Sequence, residues 1–161
     1  MKISKKQLDE FIKHNNYIEG VDFPMAHEDG HKAWEWAFKN MFNINANYIL
    51  RIHKILMNRV NPRIAGKTRE CDVWIGGHKK LFINKYIFQE QLNDLCAKIL
   101  KNEMNSKELH ILFESIHPFE DGNGRVGRIL YNIHRLRTNM EFHIIHKGKE
   151  QESYYQWFSD N

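Results

Sequence analysis

The sequence has very little cysteine and no hydrophobic run long enough to cross a membrane. Cys71 and Cys96 are the only cysteines among 161 residues. Two are too few for a disulfide framework, and their spacing is not that of a metal site. The opening stretch, MKISKKQLDEFIKHNN, is too polar for a signal peptide. These absences favour a cytoplasmic protein with reduced thiols and no membrane partner.

Internal repeats, low-complexity tracts, flexible linkers and blocks of like charge are also missing. A chain of 161 residues without such boundaries is expected to form a single domain over residues 1–161. The formal net charge is +4, which suits either a nucleic-acid-binding protein or an enzyme acting on a polyphosphate. Scattered surface lysines explain most of that excess, so charge alone does not choose between these classes.

Apolar residues recur with the period of an α-helix along most of the chain. The clearest stripe runs from Leu109 to Ile116, and the same spacing continues from Val126 to Ile133. Further stripes are formed by Phe88, Leu92, Leu95, Cys96 and Ile99, by Trp34, Ala37, Phe38 and Met41, by Tyr48, Ile52, Ile55 and Leu56, by Leu8, Phe11 and Ile12, and by Tyr154, Trp157 and Phe158. The pattern predicts a compact all-α domain.

One stretch departs from the helical period. CDVWIGGHKKLFIN has apolar, partly β-branched flanks around Gly76 and Gly77. This arrangement is typical of a small β-hairpin. We therefore expect one hairpin, at about residues 69–84, in an otherwise helical domain.

The most informative stretch is HPFEDGNGRVGR, residues 117–128. Pro118 disfavours helical conformation at His117, so the preceding helix should end there. The next helix should begin near Asn123 or Gly124, after a glycine-rich turn. Glycines can take positive φ and bring backbone amides close to a ligand, and free amides at a helix start bind anions.

Charged residues around this turn fit phosphate chemistry. Arg125 and Arg128 lie three apart in the first helical turns, where cations oppose the helix dipole unless an anion is bound. Guanidinium groups match phosphate oxygens. Asp121 is placed to hold a divalent cation that bridges phosphates, and His117 to act as a general base. The pattern predicts base-assisted attack on a metal-bound phosphate.

These twelve residues resemble the signature of the Fic family, H-x-F-x-[D/E]-G-N-G-R-x-x-R, at every fixed position. The family consists of small helical domains, most of which transfer AMP from ATP to a hydroxyl side chain of a target protein. The resemblance implies that His117 is the catalytic base and that Asp121 binds Mg²⁺. It also implies that Arg125 holds the β-phosphate region and Arg128 the γ-phosphate. The anion hole would be lined by Gly122, Asn123 and Gly124, and Phe119 would anchor the loop in the core.

The resemblance extends upstream to GKTRECDVWIGGH, which is similar to the family's arginine-then-hairpin flap. In the family the flap pairs with an extended segment of the target by strand addition. The implied target contacts here are Val73, Trp74 and Ile75. A hairpin edge equally serves as a structural cover, so both interpretations stand.

A further resemblance lies at residues 15–20, NNYIEG, within an expected inhibitory segment of about residues 4–24. It is similar to the family's inhibitory motif [S/T]-x-x-x-E-[G/N], with Asn15 in place of Ser or Thr. The resemblance implies that Glu19 pairs with Arg128 and obstructs the γ-phosphate. A surface glutamate before a helix-ending glycine would look the same.

Other functions are weighed against AMP transfer. Removal of AMP from a modified protein, or another nucleotide or phosphate transfer, fits the same fold. A non-catalytic nucleotide- or nucleic-acid-binding module is disfavoured because the basic residues cluster at one site rather than along a groove. The expected partners are ATP and a target protein, and self-modification counts among the expected reactions.

A zinc hydrolase is suggested only by HEDGH, residues 27–31, which fits H-E-x-x-H literally. That motif needs one continuous helix so that both histidines share a face. Gly30 interrupts it and Pro24 lies just upstream, so we expect His27 and His31 in a loop or at a helix start and no zinc site.

Overall fold

The computed structural model of the chain describes residues 3–75, 79–82 and 87–158. Helices account for most of the described residues, and the two strands pair with each other, as the sequence predicts. In chain order the elements are α1 (Lys5–Ile18), α2 (Pro24–Lys39), α3 (Ala46–Met57), β1 (Val73–Ile75), β2 (Lys79–Leu81), α4 (Phe88–Lys101), α5 (Ser106–Ile116), α6 (Asn123–Arg137), α7 (Lys149–Tyr155) and a 3₁₀ turn (Gln156–Phe158).

Local signals set several helix ends. Ser4 and Gln7 form a capping box at the start of α1, and Asn105 and Glu108 form another at the start of α5. Each box satisfies amides that a helix start leaves without partners. α4 ends at Asn102, which takes a left-handed conformation.

The centre of the domain is α6. Every residue from Arg125 to His134 is buried, so α6 is enclosed on all sides rather than covered on one face. It packs against α5 and also contacts α1, α2 and α3. The first turn of α6, which carries both signature arginines, therefore starts inside the protein.

The predicted apolar stripes match the core with one clear exception. Trp34 and Ala37 are buried in α2, but Phe38 is 41% exposed and Met41 lies beyond the end of the helix. Phe38 stacks on Trp34 with ring centroids 6.2 Å apart. Trp34 belongs to the core, and Phe38 covers it from outside. The helical period does not distinguish that outer position from an inward-facing one.

His27 lies in the first turn of α2, which fits the helix-start alternative, but the expected interruption of the helix at Gly30 is wrong. His27 and His31 both lie in α2, which runs unbroken through Gly30. A Cβ at position 30 would collide with Ile12 of α1, so the glycine allows the two helices to approach closely. The histidines nevertheless face separate carboxylates, His27 beside Asp22 and His31 beside Asp9.

The hairpin has antiparallel register, with Val73 opposite Leu81 and Trp74 opposite Lys80. The Gly76–Gly77 turn predicted from the sequence lies outside the described residues. Among the described helices, none is both long and apolar enough to traverse a lipid bilayer.

Candidate active site

His117 follows the last turn of α5 with its backbone in the left-handed region, at φ 45° and ψ 59°. The following Pro118 disfavours the right-handed helical conformation, so the chain turns sharply here. A non-glycine residue in this region carries conformational strain that its surroundings must offset. The helix therefore stops at the residue that the signature marks as the base.

Arg69 anchors this turn from the flap side. Its Nε donates to the carbonyl of His117 at 2.9 Å, and its backbone amide donates to the carbonyl of Pro118 at 2.8 Å. Its other guanidinium nitrogens donate to the carbonyls of Cys71 and Phe82, at 2.8 and 3.2 Å. The arginine ahead of the hairpin thus ties the flap to the signature loop.

Phe119 and Asn123 fix the interior of the loop. Phe119 is fully buried and stacks flat on His53, with ring centroids 3.7 Å apart. The Asn123 side chain accepts from the Phe119 amide at 2.9 Å and donates to the Phe119 carbonyl at 2.8 Å. Because both polar atoms of that side chain bond to Phe119, the backbone N–H of Asn123 is the group left to face an anion at the helix start.

His53 is a loop-ordering residue that the sequence did not reveal. Its Nδ1 accepts from the Gly66 amide at 2.9 Å, so Nε2 carries the proton and donates to the Asp121 carbonyl at 3.0 Å. Burial lowers the pKa of His53 to about 4, which keeps the ring neutral. A lone histidine inside an apolar stripe has no spacing signal that could have marked it.

The start of α6 has the geometry of an anion site. Gly122 caps the helix at φ 85°, a conformation suited to glycine. The amides of Asn123, Gly124 and Arg125 come next, and an α-helix provides no internal acceptor for its first N–H groups. The helix dipole adds partial positive charge at the same point.

Asp121 fits a role as a Mg²⁺ ligand. Its side chain is 62% exposed, and its Oδ1 accepts from the Gly122 amide at 2.6 Å. The other oxygen lies 3.6 Å from the Arg125 guanidinium and faces the same site. Mg²⁺ commonly binds through one or two carboxylates together with substrate phosphates, and an open carboxylate beside an anion site meets that requirement.

Arg125 is buried with few partners. Only 1% of its surface is exposed, and its Nε and Nη1 make no hydrogen bond within the described part of the chain. Its Nη2 lies 3.0 Å from the sulfur of Met57. Burial holds the pKa of Arg125 below its usual value. A buried cation with unsatisfied donors is costly unless an anion binds there.

Arg128 is equally buried but fully bonded. Its Nε donates to Asn15 Oδ1 at 2.7 Å, its Nη1 to the Tyr154 hydroxyl at 3.1 Å and its Nη2 to Glu19 Oε1 at 2.6 Å. Burial alone would lower the pKa of Arg128, but the interactions with Tyr154 and Glu19 raise it. Asn15, which departs from the family motif, thus contacts the same arginine as Glu19.

The Glu19 carboxylate lies over the start of α6. A Cβ at position 124 would collide with Glu19 Oε1 and would come within 3.0 Å of Arg128 Nη1. Glu19 also caps the end of α1, just before Gly20 at φ 69°. The helix-ending geometry and the contact with Arg128 are therefore both present, and a carboxylate of the chain itself occupies the anion-binding helix start.

Two residues outside the expected set also reach the site. The Tyr154 hydroxyl oxygen, on α7, accepts from Arg128 Nη1, although the sequence indicated only that this aromatic faces inward. Glu114 of α5 lies with Oε2 3.3 Å from His117 Nδ1. Its position one turn before the signature, among apolar residues, is the only signal that could have drawn attention to it.

The flap contacts expected from the resemblance differ in exposure. Val73 is buried, whereas Trp74 is 62% exposed, and the Ile75 side chain lies outside the described residues. Within the described ranges β1 pairs only with β2. An exposed tryptophan beside an unpaired strand edge is compatible with strand addition.

One other cluster has ligands at metal-site distances. Atoms of Glu10, His14 and His146 lie within 4.8 Å of one another. Both ring nitrogens of His146 already face carboxylates, Glu10 at 2.9 Å and Glu150 at 2.6 Å, and these contacts raise the pKa of His146. The cluster places an imidazole between two carboxylates and joins α1 to α7.

The fold and the candidate site together define a class of protein: a helical domain in which a glycine-rich helix start, two buried arginines, an open carboxylate and an imidazole converge. The Fic/DOC family pattern matches residues 43–134, more than half of the chain, and the chain belongs to this family.

Similar proteins carry the same family name. A protein adenylyltransferase Fic from Aedes aegypti is 31% identical over 162 residues, which cover 98% of this chain and 30% of that protein. The protein of the same name from Drosophila melanogaster is 28% identical over 160 residues and is covered to 30%. The chain thus spans about a third of the length of these relatives.

Solved structures show the same fold. Fic-1 of Caenorhabditis elegans (residues 134–508) superposes with a TM-score of 0.73 at 19% identity, covering 96% of this chain and 56% of that one. A Fic-domain signalling protein from Bacteroides thetaiotaomicron superposes with a TM-score of 0.74 at 18% identity, covering 94% and 70%.

Proposed function

We propose that the chain transfers AMP from ATP to a hydroxyl side chain of a target protein and that Glu19 restrains this activity. The observation that carries the proposal is the environment of Arg125, a buried guanidinium with unsatisfied donors at an anion-binding helix start. An open carboxylate and an imidazole flank the same turn. The names of the curated relatives, protein adenylyltransferases, support this choice among phosphate reactions.

In this proposal the phosphates of ATP lie at the start of α6. The backbone of Gly122, Asn123 and Gly124 lines the anion hole, since the Asn123 side chain is engaged with Phe119. Arg125 holds the β-phosphate region and Arg128 the γ-phosphate. Asp121 would hold Mg²⁺, whose chemistry is to neutralise charge on the phosphates.

His117 supplies the general base. Its imidazole takes the proton from the target hydroxyl as that oxygen attacks the α-phosphorus of ATP. The bond between the α-phosphorus and the bridging oxygen to the β-phosphate breaks, and pyrophosphate leaves. The products are the AMP-modified side chain and pyrophosphate, so all atoms are accounted for.

Glu19 acts as the brake because it competes for Arg128. The three guanidinium nitrogens of Arg128 donate to Asn15, Tyr154 and Glu19. A γ-phosphate can bind this arginine only if it displaces the Glu19 carboxylate, which also covers the amide end of α6 at Gly124. ATP seated with its outer phosphate excluded would be poorly aligned for transfer.

The target would add a strand to β1 and contact Trp74, the exposed side chain of that strand. The backbone of Val73, Trp74 and Ile75 provides the pairing edge. Self-modification is the same reaction with a segment of this protein as the target. The requirement for ATP agrees with the cytoplasmic setting expected from the sequence.

Removal of AMP from a modified target is the second candidate. Glu19 supports it, because a carboxylate that is 34% exposed at the anion site could orient a water molecule for hydrolysis. Incubation of an AMP-modified substrate with the wild-type and Glu19→Gly proteins distinguishes transfer from removal. Loss of AMP from a modified substrate that depends on Glu19 would favour removal.

The test is incubation of the purified protein with labelled ATP, Mg²⁺ and a lysate, followed by mass spectrometry for added AMP. Glu19→Gly should raise incorporation by roughly 10- to 100-fold, the effect of losing one charged hydrogen bond. His117→Ala in the same background should reduce it by about 100-fold or more.

Glu103→Gly is the matched control, because Glu103 is also a surface glutamate just beyond a helix end. It should leave incorporation unchanged. Equal rates for wild type and Glu19→Gly would contradict the brake. Absence of AMP transfer by the Glu19→Gly protein would contradict the proposed function itself.

A further inference from the structure

A largely buried carboxylate lies directly behind the proposed base. Glu114 precedes His117 by one turn of α5, and its Oε2 lies 3.3 Å from His117 Nδ1. The backbone carbonyl of the same glutamate lies 3.3 Å from that nitrogen as well. Neither the signature nor the proposed reaction assigns Glu114 a role.

The contacts of His117 determine which ring nitrogen carries the proton. Both groups next to Nδ1 are hydrogen-bond acceptors, so the neutral ring must hold its proton on Nδ1. Nε2 then carries the lone pair. Within the described ranges no hydrogen bond involves Nε2, so this nitrogen is available to accept a proton.

Among the described residues, the ion pair of the Glu114 carboxylate is with His117. Its Oε1 is buried and makes no hydrogen bond within the described residues. It faces α6 at Gly127, where a Cβ would come within 3.0 Å of Oε1. Since the side-chain donor that Glu114 meets is His117, its attraction is directed to that ring.

Glu114 is also held in its charged form. Burial alone would raise the pKa of Glu114, but the hydrogen bond with His117 and the nearby His110 and Arg128 bring it below the usual value. An ionised carboxylate is the stronger acceptor for an imidazole N–H.

We propose that Glu114 is a positioning residue that fixes the tautomer and orientation of His117, so that Nε2 faces the substrate hydroxyl. The inference rests on the proposed function for its catalytic meaning, but the tautomer is a property of the resting protein. Two anchors then hold the strained turn: Arg69 binds the carbonyl of His117, and Glu114 binds its ring. Carboxylate orientation of an imidazole is a recurrent device in catalysis.

The first test is ¹⁵N nuclear magnetic resonance of His117 at alkaline pH, in wild type and in two variants of similar size. Wild type should show the Nδ1–H tautomer. Glu114→Gln should retain it, because the amide oxygen still accepts. Glu114→Leu leaves only the backbone carbonyl of residue 114 beside Nδ1, so the share of the Nε2–H tautomer should rise. An Nε2–H tautomer in wild type, or an unchanged tautomer in Glu114→Leu, would overturn the proposal.

The second test measures AMP transfer in the Glu19→Gly background. Glu114→Leu should lower kcat by roughly 10- to 100-fold, as loss of an orienting partner does at other sites, with the Kd for ATP unchanged. Glu114→Gln should restore most of kcat. Glu35→Leu, at an exposed glutamate of α2, is the matched control and should change neither value.

The outcomes separate the two proposals. If the Glu19→Gly protein transfers no AMP, the proposed function fails, and the resonance experiment on wild type still decides the role of Glu114. If Glu114→Leu weakens ATP binding as much as it lowers kcat, the residue acts on the fold of the loop and the positioning role is contradicted. Wild-type resonances decide the question even if Glu114→Leu fails to fold.

Discussion

Arg125 and Arg128 lie three residues apart on one helix, are equally buried and have opposite surroundings. Arg128 donates to Asn15, Glu19 and Tyr154, whereas Arg125 leaves two of its nitrogens without a partner in the described part of the chain. The Glu19 carboxylate hydrogen-bonds directly to Arg128 at 2.6 Å, whereas the carboxylate nearest Arg125, that of Asp121, lies 3.6 Å away and is largely exposed.

This difference shows where the phosphates of ATP would compete with a carboxylate of the protein. At Arg125 an incoming phosphate would meet two guanidinium nitrogens that have no hydrogen-bond partner among the described residues. At Arg128 it must replace Glu19, a carboxylate held by a charged hydrogen bond. In the proposed reaction, the restraint by Glu19 therefore acts at Arg128 and at the neighbouring start of α6.

Replacing each arginine with methionine tests most directly whether the two surroundings differ in their effect on ATP binding and stability. Arg125→Met should weaken ATP binding by about 10- to 100-fold, measured in the Glu19→Gly background, because a charged hydrogen-bond donor is lost. It should leave the free energy of unfolding unchanged or raise it, since an apolar side chain fits a buried site that lacks partners.

Arg128→Met should behave differently in denaturant unfolding. It removes the shared donor of three groups on α1 and α7, and we expect a loss of stability of about 1–3 kcal/mol. Equal stability losses for Arg125→Met and Arg128→Met would show that the additional hydrogen bonds of Arg128 do not stabilise the folded protein.

Each of the two arginines has a buried histidine nearby, and the pH dependence of stability reports on both histidines. Burial lowers the pKa of His53, near Arg125, and of His110, near Arg128, from 6.5 to about 4 in both cases. The unfolded chain takes up these protons below about pH 6.5 but the folded protein does not. Stability present above pH 6.5 should therefore fall as the pH is lowered toward 4.

Denaturant unfolding between pH 7 and 5 measures this loss. Each histidine should contribute up to about 1.4 kcal/mol per pH unit to the slope. His110→Phe should remove the His110 contribution to the slope of unfolding free energy against pH and leave the contribution of His53. A flat profile for wild type over this range would contradict the buried, neutral state of both rings.

The smallest expected effect comes from the third partner of Arg128. Tyr154→Phe removes the hydroxyl that accepts from Nη1 and leaves the ring in place. Loss of one hydrogen bond should raise AMP transfer by about 2- to 10-fold, well below the Glu19→Gly effect. Tyr155→Phe, in the exposed neighbour, is the control. A fall in transfer would show that Tyr154 supports the active form of Arg128.

Much of the fold was predictable because the apolar stripes repeat with the helical period and the turn residues are distinctive. The hairpin was predicted from its apolar flanks around two glycines, and the end of α5 and the start of α6 from Pro118 and the glycine-rich turn. The error at Phe38 arose because periodicity does not tell a core position from an aromatic that covers the core edge.

The site was predictable where a local pattern carries it. The structure brings His117, Asp121, Arg125 and Arg128 to one turn, and it brings Glu19 to Arg128 from more than a hundred residues away. Tyr154 was out of reach because its contact joins distant segments without a motif. Glu114 was out of reach because a single acid within an apolar stripe resembles a surface residue.

Gly124 limits how this protein can change. Any side chain there would strike the Glu19 carboxylate, and the same small space is where the phosphates are proposed to enter. A substitution at position 124 would thus displace the Glu19 carboxylate and also block the binding of the ATP phosphates. Variants that are active without restraint should therefore arise at α1 and α7, whose contacts with Arg128 can be weakened while the glycine is kept.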